Sequence, residues 1–178
     1  INTVVKSSDY TDRYVTYDVL DDGFGQGALY TVVNQAENLP TMYQKFYVYK
    51  DMPYALVQVE LGSDNEISTN FMAPISTSGE NVVDIGTKTD ARALFVPFSN
   101  DGYTAYNPET LNGAHTSYFV TAIFDNNSRN SVIAGSVDHD TWKTGTSTWA
   151  TADNGNINFF GAFAGINSKE FTYDFQPH

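Results

Sequence analysis

Two acids, an imidazole, an indole and an ammonium fall within six positions of this chain: Asp138, His139, Asp140, Trp142 and Lys143. These groups can move a proton, hold a cation or stack on a ring. On an extended backbone Asp138 and Asp140 share one face and His139 points to the other. The three therefore do not converge on one ion. With three His and no Cys in the chain, a zinc site is not expected. The simplest reading gives the acids and Thr141 to loop backbone groups through local hydrogen bonds, with Trp142 packed on a sheet edge. The sharper reading makes Trp142, Trp149, Asp138, His139, Asp140 and Lys143 a surface that faces carbohydrate or a neighbouring domain.

Other chemistries find less. Glycoside hydrolysis needs two carboxylates at a set separation. Among 21 acids some pair always qualifies, and none has apolar flanks that would raise its pKa, so no catalytic residue is assigned. Asp21-Asp22 sits in a glycine-rich turn and reads as turn acids. The Asp125-Asn126-Asn127-Ser128 and Asn100-Asp101-Gly102 loops offer hard oxygens, but neither has EF-hand spacing. A structural calcium is conceivable there, yet solvated turns are the expectation, and no cofactor is predicted. The chain has no G-x-S-x-G elbow, P-loop or G-x-G-x-x-G. Gly23, Gly25 and Gly27 join two strands and open no helix.

The elements that must carry these groups are strands. Apolar and polar residues alternate almost throughout. Runs at 14–20 and 28–33 flank the Asp21–Gly27 turn, and runs at 43–49 and 54–61 flank Lys50–Pro53; both read as hairpins. In the last run Ala55, Val57, Val59 and Leu61 face one way and Gln58 and Glu60 the other, which predicts one buried and one wet side. Further strands are expected at 67–73, 81–85, 92–98, 117–124, 131–137, 156–163 and 170–175. Pro97 belongs on an edge, at a bulge or at a strand end. Glu109–Leu111 could start a helical turn, and 144–156 reads as a long loop or hairpin tip. Short strands separated by Gly, Asn, Asp and Pro predict an all-β antiparallel sandwich with little helix.

Composition narrows the function. The chain has 178 residues, suited to one domain, here 1–178. Its net charge of -12 would repel nucleic acid and anionic lipid. No apolar run is long enough for a membrane span. The 12 Tyr, 12 Phe and 2 Trp suit a β-core, and the same residue types stack on sugars when exposed. The start at Ile1, inside strand-like sequence, suggests a processed or excised fragment.

Four segments carry a family likeness: FYVYKDMPYALVQVEL (46–61), ISTNFMAPI (67–75), ARALFVPFSNDGYTAY (91–106) and, most specific, SYFVTAIFDNNSRNSVIAGSVDHDTWKTG (117–145). Together they resemble the N-terminal β-sandwich of bacterial melibiase-like (α-galactosidase-type) glycoside hydrolases, whose fold is similar to the galactose mutarotase supersandwich. The resemblance implies a secreted, periplasmic or cell-surface bacterial protein. It also implies an accessory domain ahead of a catalytic barrel of the same polypeptide, with galactosides or plant oligosaccharides as partners. The expected catalytic barrel would follow residue 178, so no catalytic residue carries over to 1–178. The expected function is a non-catalytic accessory sandwich that supports a barrel and contacts carbohydrate. Alternatives are an independent carbohydrate-binding module and a mutarotase-like enzyme. The enzyme would need a carboxylate base and one of His115, His139 and His178 as acid.

Overall fold

A computed structural model describes residues 4–97, 106, 108–138, 140, 142–152 and 155–165. Strands take 58% of these residues and helix 2%, and every strand pairing is antiparallel. The chain is all-β and sandwich-like, as alternation predicts. Its contacts cluster in two compact units, one up to Thr69 and the other from Asn70.

The first unit is a meander of β1 (Asp12–Asp22), β2 (Gly25–Gln35), β3 (Thr41–Tyr49) and β4 (Ala55–Gly62), in that spatial order. Both expected hairpins are present. Asp22 closes the first turn: one carboxylate oxygen accepts the Phe24 N–H at 2.8 Å and the other the Tyr49 hydroxyl at 3.0 Å. Burial, and then this carboxylate, push the Tyr49 hydroxyl up to about 12. Buried Asn34 locks β1, β2 and β3 together. Its amide donates to the Met42 carbonyl and to Gln44 Oε1, both at 3.2 Å, and its Oδ1 accepts Arg13 Nε–H at 2.6 Å. The apolar face is less covered than alternation in β4 predicts. Ala55 is exposed, and Val57, Val59 and Leu61 are half-buried.

The second unit is a two-sheet sandwich. One sheet has the order β5-β12-β11-β8, built from β5 (Phe71–Ser78), β8 (Gly113–Tyr118), β11 (Thr144–Ala150) and β12 (Ile157–Gly165). The other has the order β10-β9-β6-β7, built from β6 (Ala91–Leu94), β7 (Glu109–Thr110), β9 (Val120–Asp125) and β10 (Ser131–Gly135). Inner faces of both sheets meet in a core of Ile85, Ala93, Leu111, Ile123, Ala150, Ile157 and Phe160. Between β8 and β9 the chain turns at Phe119, with φ of 67°, and passes from one sheet to the other. Phe119 is fixed on both sides: its N–H donates to the Thr144 carbonyl at 3.0 Å, and its carbonyl accepts the Ser136 N–H at 2.9 Å.

Several expectations are corrected. Residues 144–150 are not a loop but β11, a central strand whose Thr144, Thr146, Thr148 and Ala150 are buried. Its Gly, Ser and Thr content hides the alternation, because small residues fill both faces. Residues 81–85 are irregular rather than a strand; Asn81 takes a φ of 49°, and the Val82 N–H is pinned to the Ile157 carbonyl at 2.6 Å. The run at 117–124 is two strands, split by the Phe119 corner. Glu109 and Thr110 form a strand pair with Ala93 and Arg92 rather than a helical turn. The strand at 67–73 begins at Phe71 and runs to Ser78. Pro97 lies beyond the end of β6. The expected strand at 170–175 lies outside the described residues.

Asp125 anchors the β9–β10 turn from inside. It is fully buried, and its two oxygens accept N–H bonds from Thr89, Asp90, Asn127 and Ser128 at 2.7 to 3.1 Å. Those donors, Ser128 foremost, hold its carboxyl far below the usual range. Asp90 is also lowered, chiefly by its 2.6 Å bond from Arg92 Nε–H. Both pKa values are lower folded than unfolded, so the unfolded chain binds protons first as pH falls. Their stabilisation is present above about pH 4 and is lost progressively below it.

Ile123, with no exposed surface, leaves a cavity between the sheets when truncated. Ile123→Ala should lower the unfolding free energy by about 2–5 kcal/mol in urea titration. Melting temperature should fall as pH drops from about 5 to about 2. Asp125→Asn should be less stable at neutral pH and show a flatter acid limb; an unchanged acid limb would contradict this role.

Candidate functional site

The outer face of the β5-β12-β11-β8 sheet carries a cleft of about 620 Å³. Strand period decides its lining. On β12 the outward residues are Phe159, Gly161, Phe163 and Gly165, opposite Gly145, Ser147 and Trp149 of β11. On β8 the outward residues are Ala114, Thr116 and Tyr118. The rows across the sheet are therefore Tyr118-Gly145-Phe163, Thr116-Ser147-Gly161-Ser76 and Ala114-Trp149-Phe159-Ser78.

Rings form the walls and small residues the floor. Phe163 stacks on Phe71, with centroids 5.6 Å apart and 24° between planes. Tyr118 meets Phe163 edge-on at 6.4 Å. Gly145 must be glycine for this to work. A Cβ there would lie 2.7 Å from Phe163 Cζ and 2.7 Å from the Ser117 carbonyl oxygen. Gly161 has more room; a Cβ there would lie 3.2 Å from Phe159 Cζ. Hydroxyls of Ser76, Thr116 and Ser147 supply donors and acceptors between the rings, with Thr116 and Ser147 in mutual contact at 3.4 Å. Among the described residues no Asp or Glu lines the cleft, and Lys143 is its charged group.

The sequence-predicted residues divide. Lys143 stands at the cleft, with Nζ 4.4 Å from the Phe119 ring centroid and 5.2 Å from that of Tyr118. Half-buried Trp142 lies against the end of β12. A Cβ at Gly165, whose φ is 95°, would collide with the indole ring and the Asn70 carbonyl. Trp149, 45% exposed, stands on the same outer face, directly across from Phe159. Asp138 and Asp140 are exposed and answer each other locally, the Asp140 N–H donating to Asp138 Oδ1 at 3.3 Å. His139 lies outside the described residues, as do Asn100-Asp101-Gly102 and His178.

Two further candidates resolve into structure. Asp125 spends its carboxylate on N–H donors, which turn positive ends toward it and leave little for a cation. Among the described residues no group of three or more His, Asp or Glu could hold a metal. His115 is on the inward side of β8, stacked on Phe95 at 4.2 Å, with Nε2 bonded to the Asn112 carbonyl oxygen at 2.5 Å. Among the described residues no helix is long and apolar enough to cross a membrane.

Sequence reasoning missed Tyr118, Phe71, Phe159 and Phe163 as a set. The signal was present as Phe-x-Gly-x-Phe-x-Gly over 159–165, where one strand face alternates ring and glycine. No family model matches the chain, and no curated protein or solved structure matches it either.

Proposed function

We propose that this chain is a non-catalytic accessory β-sandwich of a secreted or cell-surface bacterial carbohydrate-active enzyme, and that it contacts carbohydrate through the aromatic cleft. One observation carries the reading: among the described residues, rings, glycines and hydroxyls line the cleft on this sheet face, with no carboxylate. Sugar rings offer C–H faces that pack on aromatic rings, and equatorial hydroxyls that need short-range partners. The cleft offers both, at a size within the usual range for small-ligand sites. A glycosidase would need two carboxylates at the sugar. The described acids with lowered pKa, Asp90 and Asp125, are engaged in turn bonds instead. The likeness of residues 117–145 to melibiase-type enzymes supports galactosides or plant oligosaccharides as the ligand class.

A mutarotase-like enzyme is less favoured, because His115, the one of the three histidines among the described residues, faces away from the cleft and stacks on Phe95. An independent binding module and an accessory domain share the same ligand contacts, and differ in whether a barrel follows.

Calorimetric titration with galactose-terminated oligosaccharides should give weak, saturable binding. Phe163→Ala and Tyr118→Ala should each weaken it about tenfold, the loss of one good ring contact. Gly161→Ala should reduce binding by raising the floor while leaving the melting temperature nearly unchanged. No heat with any sugar tested at millimolar concentration, or equal binding by all three variants, would reject the reading.

A further inference from the structure

The outer edge of β1 is unlike the other edge of its sheet. β1 is 11 residues long, contains no Pro or Gly, and is exposed on both faces along nearly its whole length. Val15, Tyr17 and Val19 are 60%, 59% and 80% exposed. Residues of β4, the opposite edge, are mostly half-buried. Among the described residues β1 pairs only with β2.

Register fixes which main-chain groups point outward. The Lys50 N–H donates to the Gln26 carbonyl, so even-numbered residues of β2 turn their main chain toward β3. Odd-numbered residues of β2 therefore turn toward β1, where they pair with even-numbered partners. That leaves the N–H and C=O groups of Arg13, Val15, Tyr17, Val19 and Asp21 directed away from β2. Such an edge is a template for another strand.

The side chains specify which strand. Around Tyr17, the midpoint of β1, the outward-bonding residues are self-complementary: Val15 mirrors Val19, and Arg13 mirrors Asp21. We infer that a second copy of this chain pairs its β1 antiparallel to the first about a two-fold axis through Tyr17. In that register Tyr17 meets Tyr17, Val15 meets Val19, and Arg13 meets Asp21 twice. On the reverse face Tyr14 meets Leu20 and Thr16 meets Asp18. Reciprocal bonding at odd-numbered residues on both strands matches the antiparallel ladder, and the interface closes as a dimer. Arg13 has donors to spare: Nε serves Asn34 and one terminal nitrogen serves the Ser7 carbonyl. Like charges meet only at the strand ends, Asp12 against Asp22, where both side chains are exposed. Added salt should tighten the dimer by screening each copy's net charge of -12.

Light scattering coupled to size exclusion tests this, with circular dichroism as the fold control. The native chain should be dimeric at micromolar concentration. Tyr17→Pro removes one outward N–H and no bond to β2, so it should keep the native spectrum and raise the dimer dissociation constant at least tenfold. The chain lacks cysteine, so single thiols report register. Tyr17→Cys should cross-link to itself on oxidation, and Val15→Cys should cross-link to Val19→Cys rather than to itself. A native chain that stays monomeric at about 100 μM, well above the range where specific homodimers assemble, would overturn the proposal. So would a folded Tyr17→Pro that dimerises normally, a self-linking Val15→Cys, or open-ended growth beyond the dimer.

Discussion

The whole candidate site depends on one constraint, the two-residue period of β11 and β12. Apart from a bulge at Asn158, opposite Trp149 and Ala150, residues on these central strands alternate between core and cleft. Inward go Thr144, Thr146, Thr148 and Ala150, with Ile157 and Phe160 of β12. Outward go Gly145, Ser147 and Gly161 as floor, with Trp149, Phe159 and Phe163 standing above it. A slip of one residue would exchange the two sets, placing phenylalanines among the threonines and glycines in the core. At Gly145 the backbone and the Phe163 ring approach too closely for a side chain, and at Gly165 the Trp142 indole does the same.

The turns are held by acids. Asp22, Asp90 and Asp125 each direct oxygens at nearby donors rather than at a substrate. Asp125 joins the β9–β10 turn to residues 89–90, while the Phe119 corner moves the chain between sheets. Trp142 and Lys143 immediately precede β11, whose Thr144 carbonyl accepts the Phe119 N–H at that corner. The crowded segment therefore places a cation and an indole at one end of the aromatic face.

Much of the fold was legible because alternation and turn residues act locally. The hairpins around Gly23 and Asp51, and most strands, follow from them. Residues 144–150 escaped because Thr, Gly and Ser look alike whether buried or exposed; only pairing with two neighbours makes them a central strand. The Phe119 corner escaped because its cause is tertiary. The tryptophans and Lys143 could be named from residue type, whereas Tyr118, Phe71 and Phe163 could not. Their role depends on which sheet face is left open, and that is set by how two sheets close over Ile123.

The central claim is that carbohydrate meets this protein on the outer face of β11 and β12. Amide chemical-shift mapping during titration with a galactose-terminated oligosaccharide tests it most directly. We expect saturable shifts concentrated at Gly145, Ser147, Gly161 and Phe163, with the amides of β1 to β4 unmoved. Shifts confined to β1–β4, or no shifts at saturating sugar, would contradict it.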